Sequence, residues 1–345
     1  MFVLTPLLDI PTMQGLVVLG SIAAVLLSVT PLMTCDDLVC PGRSHGSLSI
    51  GAFNIRIFGT NKVGTPGVVD ILVKILQRYD LVLIQEIRDR TETAIYVLLE
   101  ALNSEADGMY EMVLSSRLGR SSSKEQYAYM YRPSLLTLLN TYEYNDTAND
   151  VFEREPFIAY FESPTAAIDR FGIIGVHVKP SDASEEIDQL VKVYDDYLEK
   201  FQNENAIIAG DLNADCSYLS NAALRRSLLR IDSRFRWIIS DDADTTVGSS
   251  DCSYDRFVAA GQGVLDNIHL NKTGVFHFDQ FYGLDSETAL DVSDHYPIEM
   301  CIHGSPAGYV RPTTTSSATS RRVLPAVWLY FVVANGLLVY KTTTA

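Results

Sequence analysis

The stretch "AIIAGDLNADCSY", Ala206 to Tyr218, begins as a buried strand and ends in carboxylates, an amide and a cysteine. Side chains two apart in a strand share a face, so Ile207, Ala209, Asp211 and Asn213 line up. The series is apolar until the strand exits, where it turns into oxygen donors. Three other stretches behave alike. "LSIGAFNI" aligns Ile50 and Ala52 with Asn54, "DLVLIQEI" aligns Val82 and Ile84 with Glu86, and "FGIIGVHV" leads through Phe171, Ile173 and Gly175 to His177. One polar strand end is ordinarily just solvated. Several buried strands ending in Asn, Glu, His and Asp-x-Asn point instead to a shared polar pocket at their exits.

Helical periodicity separates these strands. Val68, Ile71, Leu72, Ile75 and Leu76 recur at the 3.6-residue spacing after Gly64-Thr65-Pro66. Ile95, Leu98, Leu99 and Leu102 mark a second helix. Ile187, Leu190, Val191, Tyr194, Leu198 and Phe201 mark a third. "YAYMYRP" and "YPIEMCI" read as further strands. Some neighbouring strands lack a crossover helix, so the pattern predicts an α/β (α+β) fold of two stacked sheets flanked by helices, not a doubly wound parallel sheet.

Asn54, Glu86, Asp211, Asn213 and Asp294 are hard oxygen donors of the kind that hold magnesium, manganese or calcium rather than zinc. Burying such carboxylates together is costly unless a cation or hydrogen bonds compensate. A second histidine, His295, lies in "DVSDHYPIE", just ahead of a strand. His45 and His303 have no such context and read as surface residues. Two histidines, several carboxylates and a metal suit phosphodiester hydrolysis. One imidazole deprotonates water and the other protonates the leaving oxygen. Each needs a carboxylate to fix its tautomer. Glu125 and Asp255 are candidates that spacing alone does not select.

The chain has 345 residues and a net charge of −16, which excludes holding nucleic acid by a general basic surface. A phosphate polymer would need local arginines and a bound cation. Residues 1–34 contain the apolar run Gly15–Val29, read as a signal peptide or an uncleaved signal anchor. The catalytic unit spans 47–303, and a Thr/Ser-rich spacer occupies 304–322. The apolar stretch 323–340 reads as a glycosylphosphatidylinositol (GPI) anchor signal or as a membrane-spanning helix. Both ends point to the secretory route and a membrane-anchored, extracellular or lumenal location. There the five cysteines are compatible with disulfides, and Asn145 and Asn271 head glycosylation triplets. Cys35 and Cys40 are spaced to pair with each other, leaving Cys301 as a buried thiol in a core strand.

Over Ser47–Cys301 the chain resembles the deoxyribonuclease I family of the larger endonuclease/exonuclease/phosphatase fold. The motifs "FNIRIFG", "QEIRD", "LGRSSSKEQYAYMYRP", "FEREPF", "GVHVKP", "GDLNADCSY", "CSYDR" and "SDHYPIE" occur in family order. The resemblance implies a four-layer αββα sandwich. It implies a monomeric endonuclease that cuts double-stranded DNA with little sequence specificity, leaving 5′-phosphate ends and using Mg2+ (or Mn2+) with Ca2+. It pairs His177 with Glu125 and His295 with Asp255 as the catalytic groups, and puts Asn54, Glu86, Asp211, Asn213 and Asp294 in the metal and phosphate pocket. It brings Arg56, Arg88, Arg154 and Tyr218 to the DNA. It also implies a Cys216–Cys252 disulfide. A loop of 36 positions corresponds to roughly 3–4 kcal/mol of chain-entropy stabilisation.

Two structural calcium sites are implied in part, by Asp146, Asp150, the Phe152 carbonyl and Glu155, and by Asp244 with Thr246. Asp215 reads as solvated or as a cap for the next turn. Ser123 departs from the secreted members, which carry a tyrosine there. A lipid-headgroup phosphodiesterase, or a non-enzymatic binding protein contacting actin as some relatives do, are the alternative readings.

Overall fold

The protein is described from a computed structural model, which covers Cys40, residues 46–106 and residues 108–306. The N-terminal segment 1–34 read as a signal, Cys35, His45, most of the spacer and the apolar tail lie outside the described residues. No helix among the described residues is long and apolar enough to cross a membrane.

Twelve strands form two six-stranded mixed sheets among the described residues. In chain order they are β1 (Leu48–Phe58), β2 (Leu81–Ile87), β3 (Glu111–Leu114), β4 (Gln126–Tyr131), β5 (Thr137–Glu143) and β6 (Phe157–Glu162). They continue with β7 (Arg170–Gly175), β8 (Ala206–Asp211), β9 (Phe235–Trp237), β10 (Asp255–Ala260), β11 (Gly274–Val275) and β12 (Ile298–Ile302). The first sheet runs β11-β12-β1-β2-β4-β3 and the second β5-β6-β7-β8-β10-β9.

Strand alternation builds three cores. Ile50, Leu83 and Tyr129 from the first sheet meet Phe161, Ile173, Ile207 and Phe257 from the second. The opposite residues of the first sheet, among them Phe53, Val82 and Ile84, pack on the helices Val68–Leu76 and Ala94–Glu105. Those of the second sheet, among them Ile174, Ile208 and Val258, pack on the helix Ala183–Phe201. The result is helix, sheet, sheet, helix: the expected four layers.

All three predicted helices and the quoted strands are present. The short or half-exposed strands β3, β5, β9 and β11 are not apparent from hydrophobic pattern, because they bury too little to alternate cleanly, and neither are β6 and β10, which are buried on both faces and so show no alternation. Two disulfides join Cys216 to Cys252 and Cys40 to Cys301. The second corrects the expectation of a Cys35–Cys40 pair and a free Cys301. Cys301 sits in β12 beside β1. The Cα atoms of Cys40 and Cys301 are 5.3 Å apart, within bridging distance.

Candidate active site

The exits of β1, β2, β7 and β8 converge, and the start of β10 joins them. β8 and β10 pair antiparallel with Asp211 directly opposite Asp255. Both side chains are buried, so two carboxylates face each other at the edge of the inter-sheet core. Such juxtaposition is costly unless cations answer it.

Two histidines and Asn54 gather around these carboxylates. His177 Nδ1 lies 2.9 Å from Glu125 Oε2, and His295 Nδ1 lies 2.8 Å from Asp255 Oδ2. Their Nε2 atoms both point at Asp211 Oδ2, at 3.4 and 3.7 Å. Asn54 Nδ2 donates to the same Asp211 oxygen and to Glu86 Oε1, each at 3.2 Å. Both imidazoles therefore have one nitrogen held by a carboxylate and the other free to face a common centre.

His177 lies two residues beyond β7 rather than within it, yet keeps the inward face. Its backbone N–H donates to Tyr127 Oη (2.8 Å), and its carbonyl accepts from Arg154 Nε (3.0 Å). His295 is placed by Ser293. The Ser293 hydroxyl donates to the Asn54 carbonyl (2.6 Å) and accepts the His295 N–H (3.1 Å).

Glu86 arrives by a different route from the one alternation predicts. Val82 and Ile84 face the outer helices, which would carry Glu86 outward too. Instead Glu86 has φ +58°, and Ile57 on the neighbouring β1 has φ +50°. The register of β1 with β2 shifts between Asn54 and Phe58. This paired irregularity swings Glu86 toward Asn54, and the Ile57 N–H donates to Glu86 Oε2 at 2.8 Å. Asn213 likewise lies past its strand, with φ +48°, and donates from Nδ2 to the Val178 carbonyl.

Gln85, absent from the predicted set, takes the inner-face position. It is fully buried, donates to the Val176 carbonyl (2.7 Å) and accepts from the Asp211 N–H (3.1 Å). It thus ties the first sheet to the two strands that carry His177 and Asp211. Gly210, at φ +128°, permits this, since a Cβ there would overlap the Val176 carbonyl and the Gln85 amide. Glu186 was missed as well. Buried in the first turn of helix Ala183–Phe201, it accepts from the backbone N–H of Glu153 (3.0 Å) and Lys179 (3.2 Å). Helical periodicity marks its neighbours Ile187 and Leu190, whereas an acidic residue in a first turn reads as solvated.

Electrostatics follow from these contacts. Burial opposes charge on His295, but Asp255 and Asp211 outweigh it and raise the imidazole to about 10. Burial would raise Glu125, yet His177, Arg154 and Arg88 hold it below its ordinary range. Burial pushes Glu186 up to about 7.

A cation has suitable donors here. Asp211, Asp255 and His295 offer ligand atoms within 4.8 Å of one another. Asn54 Oδ1, Asp255 Oδ1 and Asp294 Oδ1 are buried without a hydrogen-bond partner. Orphaned buried oxygens of this kind are what a hard divalent ion satisfies. Asp255 joins this cluster, although the sequence suggested it only as a histidine partner.

The remaining predicted residues fall in different settings. Arg56 pairs with Asp294 at 3.3 Å, and Arg88 Nε stands 3.9 Å from Glu125. Arg154 is buried beneath His177 and Glu125 rather than on an open surface, so it braces the pair. Tyr218 is exposed and packs, tilted by 30°, against Tyr254 with ring centroids 5.2 Å apart. Asp215 accepts from the Ser253 N–H (2.9 Å), linking the two disulfide-bearing segments instead of standing in solvent.

Asp146 accepts the Phe152 N–H (2.7 Å), and Asp150 pairs with Arg120, whose guanidinium also meets the Asp150 carbonyl. Glu155 lines the same shallow pocket as Asp146. Asp244 caps its own turn, accepting from Thr246 N and Oγ1. Asn145 and Asn271 are both exposed.

Comparison with known proteins agrees with this geometry. Residues 51–295 match the Endonuclease/Exonuclease/phosphatase family. The chain is 42% identical over 267 residues to deoxyribonuclease gamma of Mus musculus, covering 76% of this chain and 86% of that protein. It is 42% identical over 260 residues to deoxyribonuclease-1 of Bos taurus, covering 74% and 92%. Among solved structures, humanized D. rerio TDP2 superposes with a TM-score of 0.52 at 16% identity, over 75% of this chain and 99% of that one. An endonuclease/exonuclease/phosphatase family protein from Leptotrichia buccalis gives 0.53 at 18%, over 74% and 99%. At such identities these two structures speak for the fold alone. Shared motifs, shared layers and the level of identity to the deoxyribonucleases lead to one conclusion: the chain belongs to the deoxyribonuclease I family.

Proposed function

We infer that this enzyme is a divalent-metal-dependent endonuclease that hydrolyses phosphodiester bonds of double-stranded DNA with little sequence preference, leaving 5′-phosphate ends. The observation that carries the reading is the pair of carboxylate-held imidazoles whose Nε2 atoms face one Asp211 oxygen at 3.4 and 3.7 Å. Relatives with 42% identity are named deoxyribonucleases.

A phosphate lying over Asp211 would have an imidazole on either side. One takes the proton of the attacking water and the other returns a proton to the leaving oxygen. Glu125 and Asp255 hold the Nδ1–H of each ring and stabilise the imidazolium as it forms. Asn54, Glu86, Asp211, Asn213 and Asp294 would hold Mg2+ or Mn2+, which supplies charge stabilisation on the phosphate. Arg56, Arg88 and Tyr218 are assigned to DNA contact, with Arg154 orienting His177 and Glu125. Ca2+ at the Asp146 and Asp244 loops would play a stabilising, non-catalytic part.

Two disulfides support an oxidising, secretory location, to which the apolar N- and C-terminal segments would add export and membrane attachment.

The test is nicking of supercoiled plasmid by the full chain with calcium and magnesium, repeated with a chelator. Nicking lost on chelation, and lost in His177→Ala and His295→Ala with unchanged thermal melting, is the expected result. No nicking by folded, metal-loaded protein, or near-normal nicking by either variant, would overturn the reading. Turnover of sphingomyelin without DNA cleavage would redirect it to a lipid headgroup.

A further inference from the structure

Beside the catalytic pocket lies a groove of about 280 Å³ whose walls include Arg88, Arg90, Arg117 and Lys124, with Ile57 among them. Four cations converge on one small depression of a chain whose net charge is −16. Like charges gathered this closely repel unless an anion answers them. Glu125, 3.9 Å from Arg88, is already committed to His177, and Glu86 beside Ile57 is committed to Asn54.

The groove is built rather than incidental. Asp89 accepts from the backbone N–H of Thr91 (2.9 Å), Thr93 (2.8 Å) and Ala94 (2.8 Å), which locks the turn carrying Arg88 and Arg90. Arg117 donates to the Asp89 carbonyl (2.5 Å) and to the Lys124 carbonyl (3.1 Å), clamping that turn to the facing loop. Arg117 is therefore a brace, whereas Arg90 is exposed on the rim.

Ile57 is the anomaly. It is a β-branched residue at φ +50°, 53% exposed, beside four cations. A β-branched side chain is disfavoured in that backbone region, and exposure returns nothing to folding. Strain of this kind at a site's edge is a reason to look for a role in binding. Its backbone N–H serves Glu86, but any residue other than proline supplies that bond.

We propose that Ile57 and Arg90 form a substrate-recognition pair, with Ile57 pressing on the sugars and base edges of a DNA minor groove and Arg90 meeting the flanking phosphate. The assignment rests on the DNA reading above. Apolar wedges beside basic residues are a recurrent way of engaging the minor groove. The pair extends the site beyond the scissile phosphate, on the side of Arg88. The occupant is a sugar–phosphate strand, because it offers a row of anions next to an apolar surface and is continuous with the catalytic pocket.

The experiment uses the full chain as wild type, Ile57→Asn, Arg90→Ala and Arg236→Ala. Arg236 is exposed on β9, paired with Ala259 toward the end of β10 remote from Asp255, and controls for general charge loss. Plasmid nicking gives KM and kcat, and KM is repeated from 50 to 200 mM salt. Arg90→Ala is expected to raise KM about fivefold and to reduce the salt slope by about 1, as loss of one phosphate contact does. Arg236→Ala is expected to shift neither.

Ile57→Asn is expected to raise KM severalfold while the melting temperature stays level or rises by about 2 °C, since asparagine tolerates the left-handed region. A purely structural Ile57 would instead lose melting temperature. Wild-type nicking with KM and salt slope unmoved by Arg90→Ala and Ile57→Asn overturns the pair while leaving the nuclease reading intact. Failure of the wild type to nick overturns the DNA reading and the pair together.

Discussion

Removing the tie between Cys40 and Cys301 should destabilise the domain about as much as emptying a large side-chain position in its core. The bridge closes a loop of 261 positions, for which the chain-entropy relation gives roughly 5–6 kcal/mol, against about 4 kcal/mol for the 36-position Cys216–Cys252 loop. Observed costs of losing native disulfides run at about 2–5 kcal/mol, so ~4 kcal/mol is a fair expectation. A chain spanning residues 36–306 should contain no free thiol after denaturation. Starting instead at Ser47 removes Cys40 and leaves Cys301 reduced.

The informative comparison is Cys301→Ala in both lengths, followed by urea or thermal unfolding. In the longer chain it should cost ~4 kcal/mol, lowering the melting temperature by roughly 10 °C. In the shorter chain it should cost only about 1 kcal/mol, the price of one small buried sulfur. Equal costs in the two lengths, or two titratable thiols in the longer chain, would refute the bridge and the reasoning from it.

Three other outcomes follow from the same geometry. Asp255→Asn keeps an acceptor for His295 Nδ1–H but removes the charge that stabilises the imidazolium. Plasmid nicking should fall by about 10²–10⁴ in kcat with melting little changed, and a loss under tenfold would count against the pairing. Glu186, whose carboxyl is raised by burial from 4.5 to about 7, keeps its proton in the folded state while the unfolded chain loses it. Stability should therefore fall as pH rises from about 4.5 to 7, by up to ~3 kcal/mol, and Glu186→Gln should flatten that slope when unfolding is followed at pH 5 and pH 8. Asp89 behaves oppositely. Burial would raise it, but the N–H groups and hydroxyls at the start of helix Ala94–Glu105 hold it well below the carboxylate range. Its contribution is complete above about pH 4 and is lost as pH falls through the depressed value. Asp89→Ala should cost about 1–2 kcal/mol at pH 7 and progressively less in acid, as read from denaturant midpoints.

Legibility of the site varied residue by residue. Asp211, Asn54 and His177 announce themselves, because each ends an apolar alternation whose inner-face partners, such as Ile207, Ala52 and Ile173, form the inter-sheet core. Glu86 was found for a reason the backbone does not honour: the φ +58° that brings it to Asn54 breaks the alternation that pointed to it. Gln85 and Ser293 were silent, since a buried amide or hydroxyl leaves no periodic trace until its partners, Val176 and Asn54, are known.

Local sequence by itself determined the strands β1, β2, β4, β7, β8 and β12, the three long helices and the sorting of their apolar residues onto faces, because burial and backbone period act over a few residues at a time. It also determined which donors reach the strand exits. Tertiary structure alone decided who meets whom. The antiparallel register of β8 with β10 sets Asp211 against Asp255, and the stacking of two sheets brings His177 and His295 to one oxygen. The position of Cys40 against β12 makes Cys301 half of a bridge. Such pairings join residues tens to hundreds of positions apart. Their energy depends on distance and dielectric in the folded protein, which no local pattern of residues encodes.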